Sequence, residues 1–319
     1  MLPSALLPSA TDHVPVLAEE VRLALDVQGG ETVIDATFGA GGHASLLAAD
    51  LAGHGRLIAV DRDPSVRPFF ESLRRRHGGL SMRFLRGDFS LVLAQLAENG
   101  MEADAILLDL GVSSMQVDRP ERGFSYAADA PLDMRMDPSE ERSARELVNE
   151  TDERELATIF RRYGEERYAR AIARAIARRR REHPFTRTGE LVETIKGAIP
   201  APARFGEGHP AKRVFQALRI AVNDELAALE DVLPVALDML RPGGRLAVIS
   251  FHSLEDRIVK QFLRAEERGC VCPPDFPICV CGHDPSLRAL SRKPIRPSAA
   301  EVALNPRAGS ARLRAAVKV

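Results

Sequence analysis

The stretch at residues 32–43, TVIDATFGAGGH, constrains this chain more than any other. Residues 32–37 are a short apolar run with β-branched members, which predicts a buried strand. Gly39, Gly41 and Gly42 follow where that strand must turn into a helix. Glycine lacks a Cβ, so the backbone can bend sharply there and a ligand can approach closely. Residues 44–51 (ASLLAADL) predict the helix. Strand, glycine turn and helix form the first unit of a nucleotide-binding α/β sheet, whose ligand lies beyond the carboxyl end of the strand.

The same alternation continues. Residues 18–25 predict a short helix ahead of the glycine turn. His13, before a proline, has no partner in sequence and is read as a surface residue. Residues 56–60 (RLIAV) predict a second buried strand that ends at Asp61. Asp61 lies twenty residues after Gly41, where an acid must sit to accept hydrogen bonds from a ribose placed by the first turn. Asp63 before Pro64 suits a helix cap. A helix over 64–77 and a third strand over 82–85 follow. That strand ends at Asp88 and Phe89, beside the expected adenine: Phe89 offers a stacking face or its amide, and Asp88 either meets the amino group or caps a turn. Residues 91–98 predict a helix and residues 105–108 a fourth strand. Asp109 stands at its tip, facing the crevice where chemistry would occur, and Gly111, Ser113 and Ser114 leave room for a substrate.

The alternation stops at about Gln116. Residues 140–149, 153–163, 166–181 and 188–198 have helical patterns, and no strand-like run appears before Pro210. This reads as a helical domain, residues 116–210, inserted into a discontinuous sheet domain of residues 13–115 and 211–319, with residues 1–12 as a loose tail. Between positions 161 and 181 there are nine arginines and two glutamates. Arg167, Arg170, Arg174, Arg178 and Arg181 recur on one helix face, with Tyr168, Ile172 and Ile176 on another. Such a stripe suits phosphate oxygens, which arginine grips with a planar fork of donors; the competing reading is a solvated helix face. Residues 212–233 predict one long amphipathic helix, 239–244 a turn and 245–251 (RLAVISF) a fifth strand. His252 then opens a helix, either as a crevice residue or as a packing residue. Residues 288–296 and 311–319 supply two further strand candidates, with a helical turn over 298–302.

Composition bounds the function. The formal net charge of -1 excludes bulk attraction to nucleic acid, so any such contact must be local. No apolar run is long enough to cross a bilayer, and the start of the chain lacks the basic residues of a signal peptide, so a cytoplasmic, membrane-free location is expected. The four cysteines, Cys270, Cys272, Cys279 and Cys281, lie within twelve residues. That favours one local cluster in a reducing compartment over a disulfide framework. The two pairs look like knuckles for one structural zinc ion, although their one-residue spacing is tighter than usual; free thiols or a labile disulfide are the alternatives, and no catalytic metal is assigned.

The glycine turn suits both nicotinamide enzymes and methyltransferases. Gly-x-Gly-Gly is not the full pyrophosphate fingerprint, Asp109 ends strand four beside an expected sulfonium, and two strand candidates follow strand five. These features favour an S-adenosylmethionine fold. A specific resemblance then emerges. HVPVL (13–17), DATFGAGGH (35–43), DRDP (61–64), DLGVSS (109–114), ERGFSY (121–126), PLDMRMD (131–137), YGEER (163–167), FQALRIAVNDEL (215–226), RPGGRLAVISFHSLEDRIVK (241–260) and NPR (305–307) resemble the bacterial 16S rRNA (cytosine-N4)-methyltransferases, the RsmH (MraW) family.

The resemblance implies a class I S-adenosylmethionine-dependent methyltransferase, a Rossmann-like seven-stranded α/β sheet with an inserted helical domain. It implies methylation of the exocyclic amine of one cytidine in the decoding region of 16S rRNA, within the small ribosomal subunit; the oligomeric state stays open, with a homodimer among the options. It places the cofactor S-adenosylmethionine on Gly41, Gly42, His43, Asp61, Phe89, Asp109 and Gln116. Asp109, or a carbonyl just after it, is the expected acceptor for the amine. The target base must leave its stack, with Phe124 or Tyr126 as stacking partners. The chain departs from the family at Gly309, where a second basic residue is usual. The rival functions are a nicotinamide-dependent oxidoreductase, a non-catalytic RNA-binding assembly factor, and a methyltransferase acting on DNA or a small molecule.

Overall fold

The computed structural model describes residues 15–204, 208–270, 272, 276–278, 281–282 and 284–319. Residues 1–12, expected as a tail, and His13 lie outside this set. The chain divides into two compact units, residues 1–111 with 227–319, and residues 112–226.

The first unit alternates helix and strand: α1 (Ala18–Leu25), β1 (Thr32–Asp35), α2 (Gly42–Asp50), β2 (Arg56–Asp61), α3 (Arg67–Arg76), β3 (Ser81–Arg86), α4 (Phe89–Glu98) and β4 (Ala103–Asp109). The second unit carries α5 (Ser114–Val117), α6 (Ala144–Glu150), α7 (Glu153–Gly164), α8 (Ala169–Arg179), α9 (Thr188–Ala198), α10 (Ala201–Arg204) and α11 (Lys212–Asn223). The chain then supplies α12 (Glu225–Met239), β5 (Leu240–Ser250), α13 (Ser253–Glu266), β6 (Leu287–Ala289), α14 (Ala299–Leu304) and β7 (Arg312–Lys318).

The seven strands form one sheet in the order β3-β2-β1-β4-β5-β7-β6. β1 to β5 pair in parallel, and β7 runs antiparallel to both β5 and β6. This is the seven-stranded class I methyltransferase sheet, with its one reversed strand inserted beside β5. Parallel strands covered on both faces need unbroken apolar runs. Ile34, Ile58, Ile106, Leu108, Leu246 and Val248 meet that need, packing with Leu229, Val232 and Leu233 of α12 and Val259 and Leu263 of α13. Each such side chain contributes about 1.5–3 kcal/mol when fully buried. After β3 the chain returns to place β4 on the other side of β1, so the sheet has a switch point between β1 and β4.

The helical unit has its own core. Leu156, Ile159 and Phe160 of α7, Ile172 and Ile176 of α8, Leu191 and Ile195 of α9, and Val214, Phe215 and Leu218 of α11 recur three or four residues apart and pack together. The N-terminal amides of α7 are capped by Asp152, which accepts from Arg154 and Glu155 at 2.8 and 2.9 Å.

Three expectations need correction. The helix expected over 212–233 is two helices, because Asp224 adopts a left-handed conformation (φ 51°). Aspartate tolerates that region better than most residues. Just before it, buried Asn223 accepts the Met136 amide at 2.7 Å and donates to the Met134 carbonyl at 2.8 Å, anchoring the end of α11. The boundary at residue 211 moves for the same reason: α11 contributes its apolar face to the helical unit's core, so that unit extends to Leu226. Finally, the turn expected over 239–244 is an irregular part of β5. Leu240 and Arg245 pair with Ala103 and Ala105, so five residues of β5 advance against two of β4. Gly243, at φ 81°, absorbs the excess.

Candidate active site

β1, β2 and β4 each end in an aspartate: Asp35, Asp61 and Asp109. A crevice for a ligand opens beyond such ends at the switch point. The turn after β1 is held by main-chain bonds from Phe38 to Val60 (2.9 Å) and from Gly41 to Phe38 (2.8 Å). Asp61 completes it, accepting the Gly39 amide at 2.7 Å and the Asp63 amide at 2.9 Å. Each of its carboxylate oxygens keeps a second lone pair for a ribose hydroxyl. Gly41 has φ 79°, and a Cβ there would stand 2.7 Å from the Phe38 ring, so no larger residue fits. Gly42 opens α2 beside Pro15, and His43 follows it.

Asp109 is fixed from behind by the Thr37 hydroxyl, which accepts its amide at 2.6 Å. Its side chain is 27% exposed, yet Oδ1 is buried without a hydrogen bond. Burial, then the charges of Asp35 and Glu255, pushes the Asp109 carboxyl up to about 8. His43 Nε2 lies 3.6 Å from Asp109 Oδ2, and neither ring nitrogen of His43 makes a hydrogen bond. Burial lowers the His43 pKa to about 4, against a smaller pull from the Val16 backbone, so the ring is neutral near pH 7. Asp35, 1% exposed, is pushed up to about 7 by burial and by Asp61, and Asp61 itself rises to about 6 through burial. Three carboxyl groups at these strand ends thus all have raised pKa values, so their charged forms are costly. A ligand carrying positive charge would relieve that cost.

The other expected residues have defined local roles. Phe89 begins α4 and packs against the sheet core, half-buried. Asp88 caps α4, accepting the Ser90 amide at 2.8 Å, and pairs with Arg62, so it serves the turn. Asp63 likewise caps the turn at Pro64–Val66, accepting from Ser65 at 2.9 Å. His252 caps α13 in a reciprocal box with Glu255, whose Oε2 accepts the Phe251 amide at 2.7 Å. That gives His252 its structural role and leaves the charge of Glu255 to act on Asp109. Within the helical unit, Gln116 is buried and closes a capping box with Ser113. Tyr126 stacks on His209 at 4.6 Å and Phe124 lies under Arg122, so both rings are already engaged there. Asp35, Thr37 and Glu255 act directly on Asp109, although motif reasoning passes over them. Asp35 lies inside the run of residues 32–37, and the structure ends β1 there.

The chain matches the model of the MraW methylase family over residues 10–319. The chain belongs to that family. It is 52% identical over 311 residues to the Ribosomal RNA small subunit methyltransferase H of Heliobacterium modesticaldum, covering 96% of this chain and 98% of that protein. It is also 52% identical over 317 residues to the protein of the same name from Symbiobacterium thermophilum, covering 97% and 98%. Among solved structures, TrmN from Thermus thermophilus is similar with a TM-score of 0.42 and 13% identity, over 95% of this chain and 48% of that one.

This methylase is an enzyme of the S-adenosylmethionine-dependent class. Its site fits that cofactor on its own evidence. The orphaned Asp109 Oδ1, the unbonded His43 ring and the glycine turn that a Cβ would fill are features a cationic nucleoside ligand can use. No helix among the described residues is long and apolar enough to cross a membrane. In the helical unit, Arg167, Arg170, Arg174, Arg178 and Arg181 are exposed while Ile172 and Ile176 are buried. A cavity of about 470 Å³ between α7 and α8 is lined by Arg154, Arg161, Arg162, Arg170 and Arg174.

Proposed function

We propose that this methylase transfers a methyl group to the exocyclic N4 amine of a cytidine in the decoding region of 16S rRNA, in the cytoplasm and within the small ribosomal subunit. The near full-length likeness to ribosomal RNA small subunit methyltransferases supports the substrate class. One observation carries the chemistry: a buried, unbonded carboxylate oxygen of Asp109 at the carboxyl end of β4.

Bound S-adenosylmethionine supplies an electrophilic methyl group on a positively charged sulfur. In this reading Gly41, Gly42 and His43 cradle the donor, Asp61 takes its ribose and Phe89 flanks its adenine. Gln116 and Asp109 complete the contacts. The amine of cytosine is a weak nucleophile, because its lone pair is delocalised into the ring. Asp109 accepts a hydrogen bond from that amine and favours the form in which charge develops on nitrogen. The nitrogen that gains a methyl must lose a proton. A carboxylate with a pKa raised towards 8 is matched to receive it near neutral pH. Asp109 becomes the stronger base once the positive charge beside it is gone. His43, neutral and 3.6 Å away, does not compete with Asp109 for the proton. The exposed arginine face of α8 holds RNA phosphates.

The test is methyl transfer from labelled donor to unmethylated small subunits, naked 16S rRNA, DNA and protein, followed by mapping of the modified base. N4-methylcytidine at one rRNA position, strongest on subunits, is the expected result. Label confined to DNA or protein, or carbon methylation of the base, would overturn the reading.

A further inference from the structure

We propose that Cys270, Cys272 and Cys281 bind a structural zinc ion. Their sulfur atoms all lie within 4.8 Å of one another, with Cys270 and Cys281 Sγ 3.7 Å apart. A bonded disulfide holds its sulfurs at about 2.05 Å. Two ligands of a tetrahedral site with Zn–S bonds of about 2.3 Å are separated by about 3.8 Å, and the Cys270–Cys281 spacing matches that edge. The Cys272 amide also donates to Cys270 Sγ at 3.4 Å, a bond that stabilises a thiolate and fixes its direction. Cys270 and Cys272 come from one Cys-x-Cys unit and Cys281 from the other, so the cluster draws on both units despite their tight internal spacing. Cys279 lies outside the described residues.

The location explains what the ion does. Residues 267–286 form a twenty-residue connection from α13 to β6, the edge strand beside β7. The base of this connection is tied by the Ser286 amide to the Glu266 carbonyl at 3.0 Å. Its described apolar side chains, Phe276 and Ile278, are 53% and 74% exposed, so they give the loop no core. A thiolate-bound ion replaces that core and pins the connection. β6 runs in the direction of β5, so the connection enters β6 at the end of the sheet opposite the aspartates of β1, β2 and β4, which assigns the ion a structural role.

The full chain, produced in zinc-supplemented medium and purified without affinity metal or chelator, is assayed by metal mass spectrometry. About one zinc ion per chain is expected. Replacement by cobalt should give thiolate-to-cobalt charge-transfer absorption and the intense ligand-field bands of a tetrahedral ion, and chelator should open residues 267–286 to proteolysis. Cys270→Ser and Cys281→Ser should each lose stoichiometric zinc while still binding S-adenosylmethionine, which shows that they fold. Wild-type protein that holds no zinc after incubation and dialysis, a Cys270–Cys281 disulfide in peptide maps of native protein, or undiminished zinc in both serine variants would each overturn the proposal.

Discussion

If Asp109 faces the sulfonium, the affinity for the methyl donor must depend on pH in a way that the affinity for its demethylated product does not. S-adenosylhomocysteine shares every group of S-adenosylmethionine except the methyl and the positive charge. Asp109 in the ligand-free protein has a pKa of about 8, so at pH 6 it is almost wholly protonated. Ionising it at pH 6 costs about 2.7 kcal/mol, from two pH units at about 1.4 kcal/mol each. Opposite unit charges at about 4 Å attract by about 4 kcal/mol at an effective dielectric of 20. The attraction is larger, so the bound state is ionised even at pH 6 and the whole ionisation cost falls on the affinity. Between pH 8 and pH 6 the donor's dissociation constant should therefore rise about fiftyfold relative to that of the product, about 2.3 kcal/mol. For the ligand-free fold the sign is opposite. The Asp109 pKa is raised on folding, so its stabilising contribution is full below about pH 4 and is lost as the pH rises through about 8. The chain has no tryptophan, so titration calorimetry across this pH range is the suitable assay. Asp109→Asn should flatten the donor-to-product ratio, leaving a weaker dependence from Asp35 at lower pH. A ratio independent of pH in the wild type, or an equally steep one in Asp109→Asn, would refute the argument.

Gly41→Ala places a Cβ 2.7 Å from the Phe38 ring at φ 79°, so it should cost about 1–3 kcal/mol in urea unfolding and abolish donor binding in calorimetry. Asn223→Ala leaves the buried Met136 amide without its acceptor and should cost about 1–3 kcal/mol, read as faster hydrogen exchange of the Met136 and α11 amides. Arg170→Ala with Arg174→Ala should weaken RNA binding and reduce the salt-dependence slope by about 1–2, with the donor's affinity unchanged; an unaltered slope would remove these residues from the phosphate-binding surface.

The parts of this fold that sequence discloses are those set by short-range rules. Strand ends at Asp61 and Asp109 are visible because each closes an apolar run whose neighbours in the sheet need no specification. Asp63 and Asp88 are visible as caps because a cap bonds within two residues of itself. The break at Asp224 is hidden because helical periodicity reports that a face is buried, not which core buries it. Residues 212–233 keep one period while their apolar faces serve two cores, α11 one and α12 the other. Asp35 is hidden for a related reason. Its importance lies in the summed field of carboxylates brought from three strands and the start of α13, none adjacent in sequence. A lone acid at a strand end is unremarkable. Three of them brought together resist ionisation, and that frustration makes the site receptive to a cation. The same frustration leaves Asp109 able to take up a proton when the cation's charge is lost. The feature that best explains the chemistry is therefore a property of the sheet's order, which sets β1 between β2 and β4, and of no single motif along the chain.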